Sequence, residues 1–143
     1  KAVALVEPKV EFFLNKIWPG KVSVVLLVWP DTMLAKNVYA ADGTVALRQP
    51  RHPVIAEIFE QFPYPIVGTS ANVSGQPSSG VFSDVMTQWQ GSALKPDEAV
   101  DYGTLSASLP STIVKPVGYK LLLVREGAVD FKQLTQLWSE CLA

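Results

Sequence analysis

The arginines of this chain are Arg48, Arg51 and Arg125, and each stands at or just past the end of a segment that reads as a strand. Open α/β sheets hold ligands at their strand ends, and a guanidinium is a planar fork of donors matched to the oxygens of a carboxylate or phosphate. The placement points to an anionic ligand. The plainer alternative is a pair of surface arginines, Arg48 and Arg51, flanking a proline turn. Thr44 and Arg48 share one face of a strand over residues 44–48 by its period of two, so a hydroxyl and a guanidinium project the same way. Ser70 and Asn72 have the same i, i+2 relation and would enter one space if the backbone stays extended past Thr69. The competing expectation is a turn in which Asn72 and Ser74 bond their own backbone.

Gly68-Thr69-Ser70-Ala71-Asn72 comes close to a nucleophile elbow, with Asn72 where the second glycine should be. Serine hydrolysis also needs a base, and the single histidine, His52, precedes Ser70, against the chain order of that fold. His52, between Arg51 and Pro53, reads instead as a residue at the start of a helix, and no catalytic residue is assigned. The chain has neither a glycine-rich loop ending in Lys-Ser/Thr nor a Gly-x-Gly-x-x-Gly, so any nucleotide must be held another way. One cysteine, Cys141, and one histidine make neither an internal disulfide nor a zinc ligand set.

These side chains need a scaffold, and the composition supplies one. The chain has 143 residues, 48% hydrophobic and 17% charged, which suits a single folded domain spanning residues 1–143. A net charge of -1 excludes a global basic field for nucleic acid or membrane binding and leaves room for a local one. No apolar run approaches membrane-spanning length and no leader pattern opens the chain, so a cytoplasmic location is expected. Strands are predicted at residues 1–6, at 22–28 with both faces covered, and at 44–48, 65–69, 111–115 and 119–124, with a short one at 99–102. Helices are predicted at 10–17, at 53–62 from the helical spacing of Val54, Ile55, Ile58, Phe59 and Phe62, after a Ser83 cap, and after an Asp130 cap. Residues 91–111 read mostly as surface loop. This mixture argues for an α/β or α+β layered domain.

Five ordered motifs carry a resemblance: Trp18-Pro19-Gly20 before an apolar strand, Thr44-Val-Ala-Leu-Arg48 followed by His52-Pro53, Thr69-Ser70-Ala71-Asn72-Val-Ser74-Gly75, Ser111-Thr112-Ile-Val, and Leu123-Val124-Arg125-Glu-Gly127. Over residues 12–129 the chain resembles the YrdC-like threonylcarbamoyl-AMP synthases. The resemblance implies a twisted mixed sheet with flanking helices. It also implies a nucleotidyltransferase that condenses L-threonine, bicarbonate and ATP into threonylcarbamoyl-AMP and pyrophosphate, for threonylcarbamoyladenosine at position 37 of tRNA. Carried over by motif, Arg48, Ser70 and Ser111 would bind L-threonine, and Thr44, Asn72 and Arg125 would bind ATP, with Mg²⁺ held through the phosphates and no metal site of the protein's own. The implied partners are these substrates, tRNA or double-stranded RNA, and other tRNA-modification proteins, without a membrane. The family's Pro-Thr-Glu-Thr-x-Tyr-Gly-Leu stretch and phosphate-gripping Lys-x-Arg pair have no counterpart here. Lys21-Val22-Ser23 replaces Pro-Leu-Thr, and Gly80 stands where many members carry a hydroxyl. The expectation is a synthase domain incomplete at its N-terminus, either part of a longer enzyme or a shortened relative. The alternative is a non-catalytic nucleotide- or double-stranded-RNA-binding module of the same fold.

Overall fold

The computed structural model describes residues 3–141. The elements in order are α1 (Pro8–Ile17), β1 (Val22–Leu27), β2 (Thr44–Leu47), α2 (Pro53–Gln61), α3 (Phe82–Trp89), β3 (Thr112–Val117), β4 (Lys120–Arg125) and α4 (Phe131–Glu140). The chain divides into two compact units. One comprises the residues up to Ile66 together with those from Leu109 onward, and the other is Val67–Ser108.

The first unit holds a four-stranded sheet in the order β2-β1-β3-β4. β1 pairs antiparallel with β2 and parallel with β3, while β3 and β4 form an antiparallel hairpin. The β-branched run of β1 gives it a strand backbone, and its central position buries Val22, Val24 and Leu26. Pro116 sits inside β3, which a central strand normally forbids because proline donates no ladder bond. It is tolerated here because β1 pairs with β3 only from Thr112 to Val114. In α1, Val10, Phe13, Leu14 and Ile17 recur at helical spacing and are all buried. Pro8 starts that helix, and the Trp18 N–H bonds the Leu14 carbonyl at 2.8 Å before Pro19 ends it. Asp130 caps α4 by accepting from the Lys132 N–H at 2.7 Å, as expected, and the helix buries Leu134 and Trp138. The Phe13 and Trp138 rings meet edge to face at 5.4 Å, so α1 and α4 close one core with the sheet.

The strand expected at residues 1–6 is reduced to a single bridge, Ala4 to Val28, with residues 1–2 outside the described range. The strands expected at 65–69 and 99–102 do not form, because neither segment has a ladder partner. α2 forms with Pro53 in its first turn, but none of its residues is buried, and Ile58, Phe59 and Phe62 stay exposed. β4 is an edge strand, and Leu122, Leu123 and Val124 are likewise exposed.

In the second unit, Ser83 does not cap α3: it lies inside the helix, whose N-cap position is Val81 with no side-chain cap bond. The Ser79 hydroxyl accepts from the Val81 N–H at 3.0 Å and donates to Asp84 at 2.9 Å. Gln88 on α3 accepts from the Val73 N–H and donates to the Pro77 carbonyl, fastening the loop that contains Asn72. Gly80 accepts from the Leu105 N–H at 2.8 Å, and a Cβ at Gly80 would run into the Leu105 carbonyl. The hydroxyl side chain absent at this position therefore has no room in this chain.

Phe13 is fully buried, so Phe13→Ala should cost about 3–5 kcal/mol of folding stability. Urea unfolding checks this as a fall in midpoint at unchanged slope.

Candidate functional site

Arg48 lies just past the end of β2, exposed, on the rim of a groove of about 450 Å³. The groove also receives Lys21 and Arg51, over a floor that includes Val22, Leu134 and Leu137. Its position follows from the turn between α1 and β1, where the Trp18 indole donates to the Val22 carbonyl at 2.8 Å.

Ser111 and Arg125 come together at the same end of the parallel pair, where β1 and β3 begin. The Ser111 and Ser23 hydroxyls share a hydrogen bond of 2.8 Å, and both residues are buried. Arg125 Nη2 donates to the Ser111 carbonyl at 2.8 Å and to its hydroxyl at 3.4 Å. The rest of the Arg125 fork makes no hydrogen bond to described residues, so it keeps donors for a ligand. Gly127 makes this packing possible. A Cβ there would stand 2.6 Å from the Ser111 carbonyl carbon and from the Thr112 nitrogen. The Ala128 N–H bonds the Pro110 carbonyl at 2.8 Å, and the Thr112 hydroxyl donates to the Val129 carbonyl at 2.6 Å and accepts from its N–H at 3.0 Å. The Arg-Glu-Gly motif thus has a steric reason: its glycine admits the backbone beneath it.

Thr44 and Arg48 line different grooves, four residues being about 13 Å along a strand. Thr44 donates to Asp42 Oδ1 at 2.6 Å, and Lys115 reaches Asp42 Oδ2 at 3.3 Å, in a second groove of about 440 Å³. The Thr44 hydroxyl, and after it the Lys115 ammonium, hold the Asp42 carboxyl below the usual carboxylate range.

In the second unit Ser70 is exposed. Asn72 Nδ2 donates to the Val73 carbonyl at 3.0 Å and to the Gln76 carbonyl at 2.9 Å, which is the turn conformation. Its Oδ1 is buried with no hydrogen-bond partner among the described residues. His52 occupies the N-cap position of α2, the helix-start placement expected for it. Sequence reasoning missed Lys21, Ser23, Asp42 and Lys115. Only Ser23 left a signal, as the one polar residue in an otherwise apolar run.

The family model for Sua5, YciO and YrdC proteins, described as telomere recombination, matches residues 1–127. The chain belongs to that family. Within it, the threonylcarbamoyl-AMP synthase of Bacillus subtilis is 29% identical over 126 residues, covering 88% of this chain and 35% of that protein. The Schizosaccharomyces pombe threonylcarbamoyl-AMP synthase is 28% identical over 130 residues, covering 89% and 31%. The crystal structure of Pyrococcus abyssi Sua5 complexed with L-threonine superposes with a TM-score of 0.81 at 25% identity, over 96% of this chain and 39% of that one. Escherichia coli YciO, at 18% identity and a TM-score of 0.72, shares the fold. The expected mixed sheet with flanking helices is therefore that of the Sua5/YciO/YrdC family. The chain spans about a third of the length of the B. subtilis and S. pombe synthases.

Gly127→Ala must push the 127–129 segment off Ser111 and should cost about 1–3 kcal/mol, read as a lowered melting temperature. Asp42 titrates lower folded than unfolded, so its stabilisation is present above the unfolded value and disappears as pH falls through the depressed one. Asp42→Asn should therefore melt below wild type at neutral pH, with the difference closing in acid.

Proposed function

We propose that this chain is part of an L-threonylcarbamoyladenylate synthase that makes threonylcarbamoyl-AMP and pyrophosphate from L-threonine, bicarbonate and ATP for tRNA modification. The observation that carries this reading is the match over almost the whole chain to a Sua5 structure holding L-threonine. In this reading Arg48, Ser70 and Ser111 bind L-threonine, and Thr44, Asn72 and Arg125 bind ATP.

The local chemistry supports these roles. Arg48 has no ion-pair partner among the described residues, so its whole fork is available for a carboxylate. Arg125 is fixed through one nitrogen to Ser111 and keeps the others for an anionic or nucleotide oxygen. Asn72 offers its unpaired Oδ1 as an acceptor for an amine or hydroxyl of the nucleotide.

The reaction forms a bond from a carbamate oxygen to the α-phosphorus and breaks the bond from that phosphorus to pyrophosphate. Catalysis here is positioning and charge stabilisation by fixed donors, with no covalent enzyme intermediate. Among the described residues no cluster of three or more His, Cys, Asp or Glu could hold a metal. A Mg²⁺ ion would be carried by the phosphate oxygens, whose charge it neutralises. The product's use in tRNA modification makes tRNA and its modifying proteins the downstream partners. No described helix is long and apolar enough to cross a membrane.

Arg48→Ala removes a charge-assisted pair of bonds and should weaken L-threonine binding by roughly 10- to 100-fold while leaving ATP binding within about twofold. Asn72→Ala should do the reverse. Calorimetric titration of both ligands checks this, and equal losses in both variants would refute the division. Pyrophosphate release that needs L-threonine, bicarbonate and ATP together tests the activity.

A further inference from the structure

One backbone bond helps gather three cations on the groove beside β2. The Gly20 N–H donates to the Gln49 carbonyl at 2.8 Å, tying the residue before Lys21 to the residue after Arg48. Arg51 follows two positions later, and Lys21, Arg48 and Arg51 all line the groove. No aspartate or glutamate lines it, and the wall from α4 is the neutral set Gln133, Leu134 and Leu137. Lys16 is the fourth cation there, but Glu140 neutralises it at 2.6 Å. Lys21, Arg48 and Arg51 make no ion pair with any described residue.

Like charges gathered on one groove without a counterion favour any anion that enters it, and low-dielectric walls strengthen that preference. One guanidinium fork accommodates one carboxylate. If Arg48 takes that of L-threonine, Lys21 and Arg51 remain, an ammonium point charge and a second fork lining the same groove. That pair suits the several oxygens and higher charge of a phosphate better than a second carboxylate. We infer that Lys21 and Arg51 form a phosphate-binding subsite in this groove, adjoining Arg48. The neighbouring carboxylate rests on the proposed synthase reading; the phosphate subsite rests on the groove alone. Two sources present this chemistry, a free di- or triphosphate and the backbone of RNA.

The test titrates inorganic pyrophosphate, a short RNA duplex and L-threonine, at fixed ionic strength, into wild type and the double variant Lys21→Gln/Arg51→Gln. Both side chains are exposed, and a thermal melt matching wild type confirms that the variant folds. The expected result is a loss of pyrophosphate affinity of tenfold or more, with L-threonine binding unchanged and Lys21→Arg retaining pyrophosphate. If RNA is the source, the duplex binds wild type more tightly than pyrophosphate does, weakens with salt, and loses affinity in the double variant by a similar factor. Equal binding of both phosphate probes to wild type and variant, or binding of neither probe to wild type at low salt, overturns the subsite. A phosphate effect without any L-threonine binding would refute the synthase reading and leave the subsite standing.

Discussion

Parallel pairing between β1 and β3 is the constraint on which the first unit depends. It sets side by side two segments whose facing serines, Ser23 and Ser111, are 88 positions apart. Parallel strands cannot be joined by a tight turn, so the chain must leave the sheet and return to it, and everything from β2 to α3 lies within that excursion. Closing so long a loop costs entropy before any contact compensates, and the valines and leucines of the central strands supply the compensation.

The same pairing draws polar side chains into the sheet, where each must be satisfied. Ser23 and Ser111 satisfy one another, Thr112 exchanges two bonds with Val129, and Arg125 closes on the Ser111 carbonyl. Each of these bonds fixes a side chain that would otherwise rotate freely. The end of β4 and the segment after it are thereby anchored to the start of β3, and the unused nitrogens of Arg125 are aimed by a bonded, not a mobile, side chain. Rigid donors of this kind can stabilise charge without first having to reorganise.

What could be read from the sequence follows from how local each determinant is. The helical spacing of Val10, Phe13, Leu14 and Ile17, the cap at Asp130 and the β-branched run of β1 are written in consecutive residues, and all are found. The apolar stretch at 65–69 has strand composition but no partner, and composition cannot supply a ladder. The period of α2 was legible while its burial was not, since burial depends on what packs against it. Arg48, Ser111 and Arg125 stood out by residue type and motif. Lys21 did not, because the β1–β2 pairing and the Gly20–Gln49 bond, both made across the intervening chain, bring it to the same groove. The turn at Asn72 was one of two readings left open, and the bonds to Val73 and Gln76 decide between them.

The exposed edge of β4 has a consequence for how copies of this protein behave in concentrated solution. An open strand bearing Leu122, Leu123 and Val124 is a template on which a second molecule can add its own. Cations cap the strand at both ends, Lys120 and Arg125. In a symmetric antiparallel association of two such edges, each lysine falls opposite the other molecule's arginine, and the like charges repel. Electrolyte weakens that repulsion while leaving the leucines as adhesive as before, so added salt should lower the protein's colloidal stability rather than raise it.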